Sequence, residues 1–312
     1  MFKQWRIASI LLLAAVMGVF ISACGSSTST GSGSSTPSSS TPSTLGTPGT
    51  FTCIAGSLSI AGSTALAPLA QQVAKDYQAK CPGANITVGL GGSGVGLADA
   101  ENGTVQIGDS DIFSKPGQED LVDHQVAIII FTLVINKNVT GVTNLTTDQI
   151  KGIYSGKITN WSQVGGPNLK ITVVSRPTTS GTRATFAQYI LGGPETITGP
   201  SNLISDSTGT VATEVNQTSG AIGYVTTGAA QKLGLTMLSI DGNAPTAANV
   251  ESNTYKFWNI EHMYTKGPAT GLALAFLDYM SSPQAITDAH NLGYLALSEM
   301  QPAAIKAHQP QS

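Results

Sequence analysis

Charge and histidine are both scarce in this chain, and motifs of common hydrolases are missing. Charged residues make up 11% of its 312 residues. The four histidines, His124, His262, His290 and His308, show no spacing typical of metal ligands. No G-x-S-x-G elbow occurs, since Val95 stands where the last glycine would be. These absences argue against a metal site and against a serine hydrolase, and we expect neither an enzyme nor a cofactor.

Basic clusters and interleaved aromatic and basic residues are also missing, which argues against a nucleic-acid surface. Removal of residues 1–24 deletes Lys3 and Arg6 and no acid. The 15 Lys and Arg then fall to 13 against 18 Asp and Glu, a formal net charge of −5. Any site for an anion must therefore depend on local geometry rather than on overall attraction.

Cysteine occurs three times, and the first one ends an export signal. Residues 1–24 carry Lys3 and Arg6, then an apolar run too short for a membrane span, and end in ISAC at Cys24. That order predicts a secretory signal, and its end resembles the bacterial lipobox, in which the cysteine is lipidated. We expect Cys24 to anchor the mature chain to the extracytoplasmic face of the cell membrane. An ordinary signal peptide with an incidental cysteine is the alternative.

Residues 25–50 consist almost entirely of Gly, Ser, Thr and Pro, with Leu45 as the one larger apolar residue. Such a composition buries too little apolar surface to offset the entropy of ordering. The segment therefore predicts a flexible linker between the anchor and a folded domain. No internal repeat and no second membrane span are evident in the sequence.

The remaining cysteines, Cys53 and Cys81, flank a predicted strand and helix. Cys53 precedes the strand LSIAG, and Cys81 follows the helix ALAPLAQQVAKDYQAK. In a βαβ unit the start of a strand and the end of its following helix lie at the same pole, and an oxidising compartment permits disulfides. We expect a disulfide that stabilises the fold by about 3–4 kcal/mol through chain entropy. Two free buried thiols are the alternative.

Strand and helix patterns alternate through the rest of the chain. The helix after LSIAG places Leu66, Leu69, Val73 and Tyr77 on one face, and the runs NITVGL and VQIGDSD read as further strands. This alternation predicts a parallel α/β fold.

The folded part is too long for one small core and favours two lobes. The apolar run 125–138 predicts a buried strand that continues from one lobe into the other, and 220–226 predicts the return strand. We expect the first lobe to comprise 51–131 and 227–312, and the second lobe to comprise 132–226.

Three predicted strands end in a turn of small residues that begins a helix. The turns are Ser63-Thr64, Ser93-Gly94 and Ser180-Gly181-Thr182, and Arg176 ends the strand before the third. Helix starts offer unpaired N–H groups, and ligands of α/β sheets bind at the carboxyl ends of strands. A single Ser or Thr of this kind is more often an ordinary helix cap, but the set of three with an arginine predicts an anion site.

The stretch GLGGSG at residues 89–94 also fits the dinucleotide pattern G-x-G-x-x-G. An exported protein would find little nicotinamide cofactor, and the helix that follows is short and rich in glycine. The dinucleotide interpretation is therefore not favoured.

Several fragments together resemble the phosphate-binding lipoprotein of the bacterial phosphate ABC importer. They are AGSTALAPLAQQVAKDY, GLGGSGVGLADAENGTVQIGDSD, IKGIYSGKITNWSQVGG, VVSRPTTSGTRATF, GAIGYV and DGNAPTAANV. The resemblance covers most of 55–298. It implies a two-lobed α/β periplasmic-binding-protein fold of type II, with inorganic phosphate bound in the interlobe cleft. It also implies delivery of phosphate to membrane permease subunits by a monomer.

The resemblance, joined to the turns, assigns a phosphate site shared by both lobes. The expected residues are Ser63, Thr64, Ala65 through its amide, Ser93, Asp111, Arg176, Ser180, Gly181 and Thr182. Sulfate or molybdate is the alternative anion, and an exported phosphatase or phosphate sensor using the same cleft is the alternative class.

The sequence departs from the family pattern at three places. Ala65 stands where relatives often carry a larger residue, and Pro177 and Thr178 follow the arginine where many carry an acid. Asp109 is a second acid beside Asp111, so either carboxyl is a candidate to accept the proton of the ligand.

Overall fold

A computed structural model describes residues 51–197 and 202–310. The predicted signal segment with Cys24 and the predicted linker 25–50 lie outside these residues. Within the described ranges, none of the helices combines the length and the apolarity that a membrane crossing requires.

Strands and helices alternate along the chain, as the sequence predicts. The strands are β1 (Gly56–Gly62), β2 (Ala84–Leu90), β3 (Ile107–Ser110), β4 (Leu121–Ile135), β5 (Asn144–Leu145), β6 (Thr172–Ser175), β7 (Leu203–Ile204), β8 (Ala221–Thr226), β9 (Thr236–Ile240), β10 (Trp258–Lys266) and β11 (Tyr294–Leu295). The α-helices are α1 (Ala67–Lys80), α2 (Ser93–Glu101), α3 (Thr147–Tyr154), α4 (Gly181–Phe186), α5 (Thr208–Gln217), α6 (Thr227–Lys232), α7 (Ala247–Glu251), α8 (Gly271–Met280), α9 (Pro283–Asn291) and α10 (Pro302–Ala307). Short 3₁₀ helices occupy Trp161–Val164 and Leu297–Glu299, and α4 continues into a π-helical turn, Ala187–Leu191.

The strands follow the order β2-β1-β3-β10-β4-β8-β6-β7 in one curled sheet. β1 pairs in parallel with β2 and β3, and β6 pairs in parallel with β7 and β8. Between these two groups, β10 and β4 run antiparallel to each other and to their outer neighbours. The parallel pairing that the sequence pattern predicts is present in the two outer groups, and the antiparallel strands β4 and β10 connect them at the centre of the sheet.

β4 is the strand that joins the two groups. Its residues 121–130 pair with β10, whereas its residues 131–135 pair with β8. The sequence analysis predicts a buried strand at 125–138 here, and the observed strand ends at Ile135. β4 links the half of the molecule that contains β1, β2 and β3 to the half that contains β6, β7 and β8. At 15 residues it is far longer than an ordinary strand.

The return of the chain to the first group comes later than the sequence analysis expects. β8, the expected return strand, pairs with 131–135 of β4 and with β6. The next strand, β9, still pairs with 133–135 of β4 and with β5. The chain rejoins the first group with β10, which pairs with β3.

Local sequence explains how the helices beside the sheet begin. Ser180 caps α4 by accepting a hydrogen bond from the backbone N–H of Arg183 at 3.2 Å, and Ser207 caps α5 through Thr210 in the same way. α1 begins with Pro68 in its first turn, where a missing N–H is tolerated. Its predicted apolar face is buried in the main core.

A disulfide joins Cys53 to Cys81, with the two Cα atoms 5.3 Å apart and a sequence separation of 28. This confirms the bridge predicted from the strand–helix pair and leaves no free thiol at either position. The hydroxyl of Tyr77 fixes the same segment, because it donates to the carbonyl of Thr52 at 2.7 Å and accepts from the N–H of Ile54 at 3.1 Å.

Replacing both bridged cysteines by alanine should lower the free energy of unfolding by about 3–4 kcal/mol, because the bridge restricts the unfolded chain over this loop length. Urea unfolding followed by circular dichroism measures the change. Reduced wild-type protein should match the double variant. A loss below about 1 kcal/mol would show that the bridge adds little to the stability of this fold.

Candidate functional site

The predicted site residues lie where the carboxyl ends of the parallel strands of both groups face one another. Ser63 and Thr64 follow β1, and Ser93 begins α2 after β2. Arg176 follows β6, and Thr182 lies in the first turn of α4. The structure brings all these side chains together in the interior, each no more than 8% exposed.

Asp111 lies at the centre of this cluster and is 1% exposed. One carboxylate oxygen accepts from the hydroxyl of Ser63, and the other accepts from Oγ1 of Thr182 at 2.9 Å. The backbone N–H of Asp111 donates to Oγ of Ser93 at 2.9 Å, and its carbonyl accepts from Asn259 at 2.7 Å. Asp111 thus contacts residues from both strand groups.

Arg176 is the cation of the site and is 1% exposed. Its Nε donates to the carbonyl of Ser205 at 3.1 Å, and Nη1 donates to Oγ1 of Thr208 at 3.3 Å. Nη2 donates to Oγ1 of Thr64 at 3.0 Å and to the carbonyl of Asp206 at 3.2 Å. The guanidinium is therefore held by one turn of its own half and reaches a hydroxyl of the other half.

Backbone carbonyls hold the guanidinium of Arg176, where the family resemblance implies a nearby acid. Among residues 51–197 and 202–310, no carboxylate forms an ion pair with it. The carbonyls of Ser205 and Asp206 hold the guanidinium instead. Burial lowers the pKa of Arg176, and the charge of Asp111 opposes this, but a guanidinium stays protonated in proteins. The site therefore holds a buried cation with no ion-pair partner.

Burial raises the pKa of Asp111 above its ordinary value. The hydrogen bonds from Ser63 and Thr182 lower it, as does the charge of Arg176. These groups stabilise the ionised form of Asp111, because they donate hydrogen bonds to its carboxylate or carry a positive charge near it.

The two halves touch directly at the start of α4. The N–H of Gly94 donates to the carbonyl of Thr179 at 2.9 Å. A Cβ added at Gly181 would lie 2.1 Å from Oγ of Ser93 and 2.8 Å from Cβ of Asp111. Only glycine allows this approach, because any side chain would separate the halves.

The Ser63 turn uses its hydroxyl as an internal cap. The backbone N–H groups of Ala65 and Leu66 both donate to Oγ of Ser63 at 3.0 Å. The amide of Ala65, which the family resemblance assigns to the ligand, therefore contacts Ser63 in this structure.

The glycine-rich stretch 89–94 allows the backbones of the two halves to come close together. Gly92, at φ 88°, donates its N–H to the carbonyl of Gly62 at 2.8 Å. A Cβ at Gly92 would lie 2.9 Å from the carbonyl oxygen of Thr179. These close contacts explain the glycines without a dinucleotide.

The sequence analysis missed Thr208, which begins α5. Its N–H donates to Oγ1 of Thr64 at 3.2 Å, and the two hydroxyl oxygens also lie 3.2 Å apart. The signal was present, because SDSTGT at 205–210 repeats the pattern of small hydroxyl residues before a helix. The strand before it, β7, has two residues and leaves no apolar run to mark it.

A second missed group lies behind Arg176. Nη1 of Arg183 donates to the carbonyl of Arg176 at 2.6 Å, and its Nε forms an ion pair with Glu195 at 2.9 Å. Tyr224 donates to the same oxygen of Glu195 at 3.0 Å. Burial raises the pKa of Glu195, and the charge of Arg183 is among the factors opposing this. The pair fixes the backbone from which the buried cation projects.

Comparison with known proteins identifies the family. A family model described as a PBP superfamily domain matches residues 24–284. The chain is 42% identical over 245 residues to the phosphate-binding protein PstS of Bacillus subtilis, covering 76% of this chain and 79% of that protein. It is 25% identical over 247 residues to PstS of Borreliella burgdorferi, covering 75% of this chain and 88% of that protein. The chain belongs to the PstS family within the PBP superfamily.

Solved structures of PstS-like proteins support the same assignment. A phosphate ABC transporter substrate-binding protein from Clostridium perfringens, solved with bound phosphate, has a TM-score of 0.73 and 29% identity, covering 78% of this chain and 100% of that one. An ABC-type phosphate transport receptor from Vibrio cholerae has a TM-score of 0.63 and 27% identity, covering 77% of this chain and 100% of that one. The expected type II periplasmic-binding-protein fold is confirmed.

The Arg183–Glu195 pair provides a stability test of this PstS site. Arg183→Met should lower the free energy of unfolding by about 3 kcal/mol, because it leaves the fully buried carboxylate of Glu195 without its cation. The double variant Arg183→Met/Glu195→Met should recover more than half of that loss, since no unpaired buried charge remains. Urea unfolding of both single variants and the double variant measures the coupling. Strictly additive losses would contradict it.

Proposed function

We propose that the chain binds inorganic phosphate outside the cytoplasm and delivers it to the permease of a phosphate ABC importer. One observation carries this proposal. A buried cation without an ion pair, Arg176, and a buried carboxylate, Asp111, lie in the same cluster of hydroxyl and amide donors. The relatives with this function are binding proteins, and we propose that this chain likewise performs no catalysis. Absence of turnover of a chromogenic phosphoester tests that part.

Phosphate would be held by donors from both halves of the cleft. We propose as its ligands Ser63, Thr64, the amide of Ala65, Ser93, Asp111, Arg176, Ser180, Gly181 and Thr182. The geometry supports this set because Arg176, Thr64, Asp111 and Thr182 are already linked by hydrogen bonds across the cleft. A guanidinium is suited to oxyanions, because its N–H groups form a planar fork.

The carboxylate of Asp111 would select phosphate by its proton. Near neutral pH phosphate keeps at least one proton and can donate it to a carboxylate, whereas sulfate has none. Sulfate would place its oxygen lone pairs against those of Asp111 without a hydrogen bond. Sites built around a hydrogen-bonding group of the ligand reject analogues that lack it by about 10⁴-fold or more.

We propose that two lobes close on the ligand, and the sequence analysis expects them at 51–131 with 227–312 and at 132–226. We revise this division by assigning β9 to the second lobe, because it pairs with 133–135 of β4 and with β5. The bonds of Arg176 to Thr64 and of Thr182 to Asp111 cross this boundary. Phosphate would bridge the same groups and favour the closed state.

We further propose that the mature chain is a monomer anchored by a lipid on Cys24, with 25–50 as its linker. The signal-like order of residues 1–24 and the composition of 25–50 support this proposal. Mass spectrometry of the mature N-terminus decides it. An unmodified chain cut at another residue would exclude the lipid anchor.

Asp111→Asn should keep phosphate binding but reduce its preference over sulfate, because the amide can donate to an unprotonated oxygen. Calorimetry with both anions on wild type and variant measures the two affinities. Asp109→Asn is the matched control and should keep the wild-type preference, since the Asp109 carboxylate contacts no site donor. If Asp111→Asn keeps the full preference, Asp111 is not the discriminating residue.

Gly181→Ala should weaken phosphate binding by roughly 5- to 150-fold, because overpacking between the halves costs about 1–3 kcal/mol. Gly193→Ala is the matched control on the same lobe, since a Cβ there meets nothing within 4 Å. Small-angle scattering should show a smaller radius of gyration with phosphate for the control and for wild type, but not for Gly181→Ala. Equal affinities of the two variants would mean that phosphate does not require this closed contact.

A further inference from the structure

Three carboxyl groups are buried together beneath the phosphate site. Asp109 and Glu261 are both 0% exposed, and Asp111 is 1% exposed. Only Asp111 belongs to the proposed ligand set. The other two acids have no role in the binding described above.

Strand register explains why the three groups meet. β3 and β10 are antiparallel, with Asp109 opposite Met263. The ladder ends with Ser110 opposite His262, and the next residues along the two chains are Asp111 and Glu261. Asp109 and Asp111 share one face of the strand because side chains alternate with a period of two. Asn259, two residues before Glu261 on β10, donates to the carbonyl of Asp111 at 2.7 Å, so this part of β10 lies against Asp111.

Hydrogen-bond donors are distributed unequally among the three carboxyl groups. Asp111 accepts from Ser63 and Thr182. None of the four carboxyl oxygens of Asp109 and Glu261 has a donor. An isolated buried carboxylate is strongly unfavourable, and such a group takes up a proton instead. Burial raises the pKa of Glu261, and the charges of Asp111 and Asp109 add to the rise.

Among residues 51–197 and 202–310, no ion pair supplies a counter-charge to Glu261. The residue opposite it on β4 is Ala127. On β11, the hydroxyl of Tyr294 donates to the carbonyl of Ala65 and not to an acid, and burial raises its pKa further. The cation Arg176 lowers the pKa of Asp111. Asp111 is therefore the group of the three that ionises most readily.

A protonated carboxyl has an O–H that needs an acceptor, and two carboxylates form a hydrogen bond only when a proton lies between them. Asp111 is the residue next to Glu261 in the register of the two strands, and Ser63, Thr182 and Arg176 stabilise its ionised form. We propose that Glu261, carrying its proton, donates a hydrogen bond to Asp111 and keeps Asp111 ionised as the acceptor of the phosphate proton. Glu261 is then a positioning residue for anion selectivity, and this inference rests on the proposed function.

Two substitutions at Glu261 separate the loss of its donor from the loss of its charge. Glu261→Gln keeps a donor toward Asp111 and should bind phosphate within about 3-fold of wild type. Glu261→Met has similar length and no donor, and it should weaken phosphate by about 10- to 100-fold, the value of a hydrogen bond to a charged group. Calorimetry with inorganic phosphate and with sulfate measures both affinities. Asp109→Asn is the matched control and should keep wild-type selectivity.

The pH profile distinguishes positioning from a purely structural role. Without its donor, the carboxylate of Asp111 is less stable and its pKa rises. The preference for phosphate over sulfate should therefore disappear at a higher pH in Glu261→Met than in wild type or Glu261→Gln as the solution is acidified. An unchanged profile in a folded Glu261→Met protein would overturn the proposal. Tighter phosphate binding by both variants would also overturn it, because Glu261 would then be an ionised, repelling group.

A measurement without phosphate separates this inference from the proposed function. The ¹³C chemical shift of the Glu261 carboxyl, assigned by comparison with Glu261→Gln, should report a protonated group at neutral pH. An ionised Glu261 at neutral pH would overturn the inference even if phosphate binds tightly. Failure of wild-type protein to bind phosphate would overturn the proposed function, while the shift would still decide the protonation of Glu261.

Discussion

Two opposite charges, each buried without an ion pair, determine how the two halves of this molecule meet. The guanidinium of Arg176 reaches Thr64 of the opposite half, and the carboxylate of Asp111 accepts from Thr182 of the opposite half. Each charge is thus stabilised by a hydroxyl of the opposite half in addition to the dipoles of its own half. Because unsatisfied buried charges are strongly unfavourable, the site is intact only when the two halves are in contact.

The sheet provides this arrangement through its antiparallel centre. β4 pairs with β10 over 121–130 and with β8 over 131–135, so a single strand carries both groups of parallel strands. The carboxyl ends of β1 and β6 can then face one another across the cleft. β10 also places Asn259 against the carbonyl of Asp111, so this strand forms the floor of the site.

Local signals in the sequence predict the parts of the site but not the interactions behind them. The apolar face of α1, the disulfide of Cys53 and Cys81 and the three hydroxyl-rich turns follow from spacing alone, and the structure confirms the helix face and the bridge. The sequence analysis did not predict β10, because this strand buries Glu261 and His262 and its sequence therefore lacks the apolar run of a central strand. The sequence analysis also missed Glu195, because its partner Arg183 lies 12 residues earlier in the sequence. That separation matches neither a helical nor a strand period.

Among the residues that the structure describes, several buried polar atoms without hydrogen-bond partners lie around Asp111. Both oxygens of Asp109, both oxygens of Glu261 and Oδ1 of Asn259 are buried without hydrogen-bond partners. Such groups lower stability, so their clustering at one place indicates that stability has been given up for function there. A chain with a formal net charge of −3 does not attract an anion from a distance. In our proposal its selectivity comes instead from the position of protons at the site, which the carboxyl groups of Asp111 and Glu261 control.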